Sequence, residues 1–383
     1  MKKIFLIACL CSVIVANAQW QDANMDTINT HCLVTNGSNI FVGARGGICI
    51  SADYGNTWAF SNNGFSPNIE VYAIATNGTD IFAGTQGYQG TPSGVYLSTN
   101  SGGSWNLVNT GLTDTSISSL AINGTNIFAG TQSGVFLSTN NGGLWTPVNS
   151  GLTNSLFYSF AVSGANIFAG TQNGVFLSTN NGGLWTPVNT GLTDSSVYSV
   201  AVSGANIFAG TSRGGIFIST NNGGLWTPVS TGLTDSAITS FAVSGTNVFA
   251  GTSDDGVFLS INNGGLWTNI STGLPLNSIY SLAVSGTNIF TVLVSVTYFK
   301  IWSRPLSEIT GIYERNSNDH FAIYPNPTTG KFKVESAELK GQSLEAYNVL
   351  GEKVFQSSNL NQQTSIEIDL SASPKGIYFV KTY

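Results

Sequence analysis

The sequence predicts an all-β chain, a seven-bladed β-propeller followed by a small all-β module. Three observations predict it. A segment typified by Leu282-Ala-Val-Ser-Gly-Thr-Asn-Ile-Phe290 recurs with small changes, ending at Phe41, Phe82, Phe128, Phe168, Phe208, Phe249 and Phe290, which makes seven copies. A second element, Ser-x-Asn/Asp-x-Gly-x-x-Trp, recurs six times, ending at Trp58, Trp105, Trp145, Trp185, Trp226 and Trp267 with successive spacings of 47, 40, 40, 41 and 41 residues. Third, each period holds four short runs of β-branched and aromatic residues bounded by Gly, Asn, Asp or Ser. No stretch shows the 3.6-residue periodicity that a helical repeat would need.

The period around Trp226 illustrates the elements. Its predicted strands are Val197–Val202, Asn206–Gly210, Gly215–Ser219 and Trp226–Val229. Four strands per ~40 residues is the period of a propeller blade, and such blades close into a ring. The longest interval carries an extra loop at Gly87–Ser93. The seventh copy lacks the Trp element and runs through Val292–Trp302, which reads as a degenerate closing blade.

Composition supports a packed, uncharged chain. Charged residues are 8%, aromatics 11% and apolar residues 42%, with 45 glycines in 383 residues. Thirteen Lys+Arg against 19 Asp+Glu give a net charge of −6. So few cations leave no footprint for nucleic acid, which requires clustered Lys and Arg.

Residues 1–18 read as an export signal. Met1-Lys2-Lys3 is a basic start, Ile4 to Val15 an apolar run, and Ala16-Asn17-Ala18 a small-x-small cleavage site. The run is well short of the ~20 residues that span a bilayer, so the mature chain is expected to have no transmembrane segment. Leu6-Ile7-Ala8-Cys9 resembles a lipobox, but cutting there leaves too short an apolar region, which favours cleavage after Ala18. Cys9 and Cys11 leave with the signal. Cys32 and Cys49 remain, on neighbouring predicted strands, either as a disulfide or as two small buried hydrophobes.

Ser51-Ala-Asp53-Tyr-Gly55-Asn-Thr-Trp58 resembles the Asp-box of sialidases, sortilin-type propellers and photosystem assembly-factor propellers. In the next five copies Asn100, Asn140, Asn180, Asn221 and Asn262 stand at the Asp position, followed by Trp105, Trp145, Trp185, Trp226 and Trp267. The box reads as a turn between third and fourth strands, its Asp or Asn bonding turn amides and its Gly supplying positive φ. Identical turn chemistry in every blade is scaffold, and five of six copies lack the carboxylate that a hard cation prefers. No metal or cofactor is expected.

A sialidase-like catalyst would need three converging arginines and a Tyr–Glu pair. Between Gln19 and Pro305 the arginines are Arg45, Arg213 and Arg304, in different elements. An inverting glycosidase needs two carboxylates ~6.5–9.5 Å apart. Besides Asp53, the acids in this span include Glu70, Asp80, Asp114, Asp194, Asp235, Asp254 and Asp255. Asp114, Asp194 and Asp235 recur in Gly-Leu-Thr-Asp and read as turn residues, and Asp254-Asp255 as a solvated loop. His31 and His320 are the only histidines, too few for a zinc cluster. The expectation is a protein that is not an enzyme, with a glycoside hydrolase as the alternative.

A binding face is predicted instead. Aligning the seven first strands places His31, Tyr72, Ser118, Tyr158, Tyr198, Thr239 and Tyr280 at one position near the channel mouth. Of these, His31, Tyr72, Tyr158, Tyr198 and Tyr280 offer flat faces with polar handles to an extracellular glycan or protein. The alternative is that they pack between blades.

After Trp302 the composition shifts. Arg304, Glu308, Glu314, Arg315 and Asp319 end the repeat, and residues 311–319 read as a linker between the propeller at 19–310 and the tail at 320–383. The tail contains Tyr324-Pro-Asn-Pro-Thr-Thr-Gly330, Ala346-Tyr-Asn-Val-Leu-Gly-Glu-Lys-Val354 and Lys375-Gly-Ile-Tyr-Phe-Val380, with predicted strands at Lys331–Glu335 and Ile377–Lys381. These motifs, in this order, resemble the type A C-terminal sorting domain of the type IX secretion system of Bacteroidetes. The resemblance implies an Ig-like β-sandwich read by the outer-membrane translocon and its sortase. It also implies a mature protein released from the cell or held at the outer-membrane surface.

Overall fold

In a computed structural model of the chain, the described residues are 19–23, 29–87, 90–153, 156–275, 278–294 and 299–309, then 322–324, 331–335, 344–348, 353–357, 365–371 and 378–382. The expected export signal, Tyr88 and Gln89 of the extra loop, the linker, His320 and most of the Pro-Asn-Pro motif lie outside them. The chain divides into two compact units at Gly311/Ile312.

The first unit contains seven four-stranded antiparallel sheets. The blade around Trp226 has strands Val197–Ser203, Asn206–Thr211, Ile216–Ser219 and Thr227–Pro228, close to the expected limits. First strands of successive blades contact one another in order, and the seventh contacts the first, so the inner strands surround one axis. Helix is confined, among the described residues, to one 3-10 turn at Leu306–Glu308.

No blade has a core of its own. The apolar residues form seven clusters, each straddling two neighbouring blades. In one of them, Ala121, Phe128 and Val135 of one blade pack against Phe157, Ile167, Ala169, Phe176 and Trp185 of the next. A four-stranded sheet has two apolar faces and must bury both against other sheets, which is why repetition is obligatory. Blades converge tightly at the second-strand glycine. A Cβ on Gly84 would lie 2.4 Å from Ile117 Cγ2, and one on Gly251 the same distance from Ile279 Cγ2.

The Trp element forms the turn expected of it. In all six copies the Ser hydroxyl bonds the Asp or Asn Oδ1 at 2.8–3.0 Å. The same Ser Oγ accepts the Gly amide at 2.8–2.9 Å. Oδ1 also accepts the amide four residues on, as Leu184 N to Asn180 Oδ1 at 2.9 Å. One acceptor oxygen does this work, so Asn replaces Asp freely. Two residues in succession take positive φ, such as Tyr54 (58°) and Gly55 (87°).

The tryptophans do more than pack over their own blade. Each indole N–H reaches the preceding blade's outer strand: Trp145 to Val108 O (2.7 Å), Trp185 to Val148 O (2.8 Å), Trp226 to Val188 O (2.6 Å) and Trp267 to Val229 O (2.6 Å). In the first two blades Trp58 bonds Ala23 O at 3.1 Å and Trp105 bonds Ser61 Oγ at 3.0 Å.

The seventh blade departs from the reading of a merely degenerate copy. Its first three strands are Ser278–Ser285, Asn288–Val294 and Phe299–Pro305. Its fourth is Gln21–Asp22 from the other end of the chain, paired Gln21↔Ser303 and Asp22↔Trp302. Trp20 directly precedes this strand, as Trp226 precedes Thr227, and donates Nε1–H to Ile270 O at 2.7 Å. The missing seventh tryptophan is therefore Trp20, detached from its blade by the whole length of the ring.

Cys32 and Cys49 are free thiols. They stand on the first and third strands of one sheet, Cys32 opposite Gly43 and Cys49 opposite Val42 on the strand between. Two inter-strand spacings separate them by roughly 10 Å, beyond disulfide reach. Burial pushes Cys32 up to about 12 and Cys49 up to about 11, so both stay protonated small hydrophobes.

The second unit holds two three-stranded sheets. One contains Ala322–Tyr324, Lys331–Glu335 and Ser365–Asp369, the other Leu344–Asn348, Lys353–Ser357 and Tyr378–Thr382. Phe332, Val334, Leu344, Ile368 and Leu370 form its core. Glu345, 7% exposed, pairs with Lys353 Nζ at 2.5 Å and accepts the Tyr347 hydroxyl.

Trp20→Ala should cost about 3–5 kcal/mol, the usual range for deleting a buried aromatic. Denaturant unfolding should show a loss as large as for Trp145→Ala inside the ring. A loss below ~1 kcal/mol would mean that the seventh seam closes without it.

Candidate site at the inner-strand bulges

Each first strand carries one irregularity, always in the same place. The register slips between Thr30/Cys32, Val71/Ala73, Ile117/Ser119, Phe157/Ser159, Val197/Ser199, Ile238/Ser240 and Ile279/Ser281. The skipped residues are His31, Tyr72, Ser118, Tyr158, Tyr198, Thr239 and Tyr280. All seven aligned positions are thus β-bulges, which leave one residue unpaired and re-aim its side chain. The residue before each bulge is buried in a seam, for example Val71, Ile117 and Val197 at 0% exposed, while Tyr198 is 37% and Tyr280 48% exposed.

Adjacent blades bring some of these side chains together. His31 and Tyr72 stack with ring centroids 4.2 Å apart and 18° between planes. Tyr158 and Tyr198 meet edge to face at 5.0 Å and 82°. Ser118 and Thr239 turn back instead, donating to Phe157 O at 2.5 Å and to Ile279 O of the next blade. The seven positions therefore form two aromatic pairs and a separate Tyr280, divided by two short hydroxyl residues.

Glu70, which the sequence offered only as one of several acids, belongs to this group. It is 8% exposed, accepts the Tyr72 hydroxyl at 2.8 Å, and has Oε2 3.6 Å from His31 Nε2. A backbone bridge ties it to Arg45, whose guanidinium reaches Asn68 Oδ1 at 3.4 Å. The available clue was positional. Two residues before each bulge the chain carries Asn29, Glu70, Ser116, Leu156, Ser196, Ala237 and Ser278, and only Glu70 is charged. Burial holds the His31 pKa below its usual 6.5, partly opposed by the Glu70 carboxylate. Burial, then the neighbouring Tyr198, raises Tyr158.

The other acids hold the loops of this face. Asp114 accepts the amides of Ser116 (3.0 Å) and Ser133 (2.9 Å), and Asp194 those of Ser196 (3.0 Å) and Arg213 (2.7 Å). Burial pushes both carboxyls up, but the hydrogen bonds outweigh it and leave them below their usual range. Asp235 accepts the Asp254 amide at 2.9 Å, and Asp255 accepts the Thr234 hydroxyl, so the Asp254-Asp255 turn is tied to the same scaffold. Arg304, 3% exposed, donates to Ile270 O at 2.7 Å between the last two blades, whereas Arg45 reaches Asn68 in the first seam. At the boxes, Asp53 is held at about 2 by bonds from Thr57 and Ser51. Among the described residues no His, Cys, Asp and Glu group of three or more is arranged for a metal.

Protonation of His31 should destabilise the fold. The unfolded imidazole titrates near 6.5 and the folded one lower, so the unfolded chain binds more protons between those values. Melting temperature should be flat above pH 6.5 and fall as the pH drops below it, and His31→Gln should remove that fall. An unchanged slope in the variant would assign the pH response elsewhere.

Comparisons with known proteins agree with this architecture. Residues 322–383 match the family described as the secretion system C-terminal sorting domain, and residues 157–294 match the DUF6242 beta propeller domain. A YCF48 structure with bound D1 peptide is 13% identical with a TM-score of 0.60, covering 75% of this chain and 96% of that one. The extracellular domain of the putative hybrid two-component system BT4673 from B. thetaiotaomicron is 19% identical with a TM-score of 0.60, covering 83% of this chain. PorZ of Porphyromonas gingivalis, a surface component of the type IX secretion system, is 13% identical with a TM-score of 0.52, again over 83%. The chain spans 46% of the BT4673 domain's length and 42% of PorZ's. At these identities the likeness is one of fold. No curated protein matches the sequence. The described residues contain no helix long and apolar enough to cross a membrane. The chain is thus a seven-bladed β-propeller carrying, at residues 322–383, a type IX secretion system sorting domain that sends it to the cell surface or the extracellular space.

Proposed function

We propose that the propeller is a non-catalytic binding module that takes a glycan, a peptide or a surface partner at its channel mouth. The observation that carries this reading is the set of seven bulges. Bulges re-aim side chains at one position of every inner strand, and although Ser118 and Thr239 turn back onto the next blade's backbone, the other five do not. Five of those side chains are aromatic or imidazole, the kind that supplies rigid contact area at low entropic cost. A peptide is a fitting ligand class because a YCF48 propeller of the same fold is seen with the D1 peptide. The loops around the rim, at Gly87, Gly90–Pro92 and Ser253–Asp255, are the least repetitive parts of the ring and add selectivity.

A glycoside hydrolase reading has one observation on its side, the Tyr72 hydroxyl donating to buried Glu70. The Arg45 guanidinium reaches Asn68 and that of Arg304 reaches Ile270 O rather than this pair, which favours binding over turnover.

The test is a glycan and peptide array probed with the protein beside a Tyr72/Tyr158/Tyr198/Tyr280→Ala variant. The folded variant should lose at least tenfold in binding. Retention of full binding would move the site off the mouth. Turnover of fluorogenic glycosides, lost in Glu70→Gln, would establish the hydrolase instead.

The tail is proposed to engage the translocon and its sortase. Deleting residues 320–383 should leave the propeller in the periplasm, read by fractionation and blotting. Normal appearance in the medium would remove the tail from the export route.

A further inference from the structure

A second site lies on the box-bearing side of the ring and arises where the repeat places a polar residue, Ser61, at a position otherwise apolar. Three residues after each tryptophan stands the side chain that seals the outer end of a seam. It is Val108, Val148, Val188, Val229 and Ile270 in blades two to six, Ala23 in the seventh and Ser61 in the first. Where valine is present it fills the space beside the next box glycine: a Cβ on Gly142 would meet Val108 Cγ2 at 2.8 Å, and one on Gly223 would meet Val188 Cγ2 at 2.7 Å. Ser61 is shorter and polar. Its hydroxyl is occupied, donating to Gly102 O and accepting Trp105 Nε1–H at 3.0 Å. Gly102 leans on Ile50 instead. The seam between the first and second blades carries an open, shallow cleft of about 520 Å³.

The walls of this cleft have a definite chemistry. Trp58, the one box tryptophan that is only partly buried, and Phe60, 42% exposed, form the apolar side. Blades three to five have Pro147, Pro187 and Pro228 at the Phe60 position. The other side is amide and hydroxyl, from Asn62, Asn63 and Ser101, and no charged side chain lines the space. Asn100 also borders it, but its amide is spent on Ser104.

From this geometry we infer that the first seam binds a neutral saccharide unit, with its C–H face on Phe60 and Trp58 and its hydroxyl edge on Asn62 and Asn63. A pyranose ring is amphipathic in the way these walls are, apolar across its face and polar around its edge. The volume lies within the roughly 300–1,000 Å³ usual for small-ligand pockets. A charged sugar would be desolvated against walls that offer no counter-charge, which disfavours acidic glycans. This site is separate from the channel mouth and does not depend on the reading given for it.

The experiment is calorimetric titration of the whole chain with cellobiose, maltose, laminaribiose, xylobiose and mannobiose, with digalacturonate as the acidic comparison. At least one neutral disaccharide should bind. Ser61→Val, which restores the residue of the sealed seams, and Phe60→Ala should each weaken binding at least tenfold. Both should leave the melting temperature near the parent value, and the four-tyrosine variant should bind these disaccharides like the parent. Absence of binding by every neutral disaccharide would overturn the inference, as would preference for digalacturonate. So would binding that survives both substitutions in folded protein.

Discussion

The structure depends on a seam. A single blade is a thin sheet with apolar residues on both faces, and it is stable only when flanked on each side. The indole hydrogen bond across each junction, such as Trp185 Nε1–H to Val148 O, fixes how far one blade may slide over the next. Except at Ser61, whose hydroxyl receives Trp105, the acceptor is a backbone carbonyl, so the bond survives variation in the side chain that carries it. The substitutions from valine to isoleucine at Ile270 and to alanine at Ala23 leave the bond in place.

Much of this was legible from letters alone, because repetition makes a weak local signal strong. Four short strands per period would be an uncertain reading once, but seven copies in phase leave few alternatives. The same phasing located the bulged positions by alignment, although nothing in the residues announces a bulge. What the letters hid was non-local. Trp20 carries no local sign of its blade because the strand that follows it pairs with one about 280 positions away, Asp22 lying opposite Trp302. Glu70 was one candidate acid among several until folding placed its carboxylate against the Tyr72 hydroxyl. The cysteines remained ambiguous because sequence distance does not reveal that a third strand runs between them.

Departures from symmetry carry the functional content. Residues that repeat, including Asp114, Asp194 and Asp235, hold the same loop in each blade and are fully employed there. Those that differ around the ring are of two kinds. At the inner bulges the side chain varies while the backbone stays constant, giving a rim of varied chemistry on an invariant frame. At the outer seams a single serine in place of an aliphatic residue changes the packing itself and opens a space.

The pairing of Gln21–Asp22 with Phe299–Pro305 sets the order of events in folding. Contacts inside a blade span a few tens of residues, but the closing sheet joins segments separated by 278 positions at Lys300 and Asp22. The clasp belongs to the longest-range contacts of the ring, whereas those within and between the six blades from Thr30 to Asn269 are more local and can form while the ring is still an open arc. An arc exposes one apolar blade face at each end, and those faces are complementary to each other. Until the final strands have emerged, two such molecules could join end to end as readily as one could close. Circularisation therefore competes with polymerisation, and because only the latter depends on concentration, dilute chains favour the closed ring.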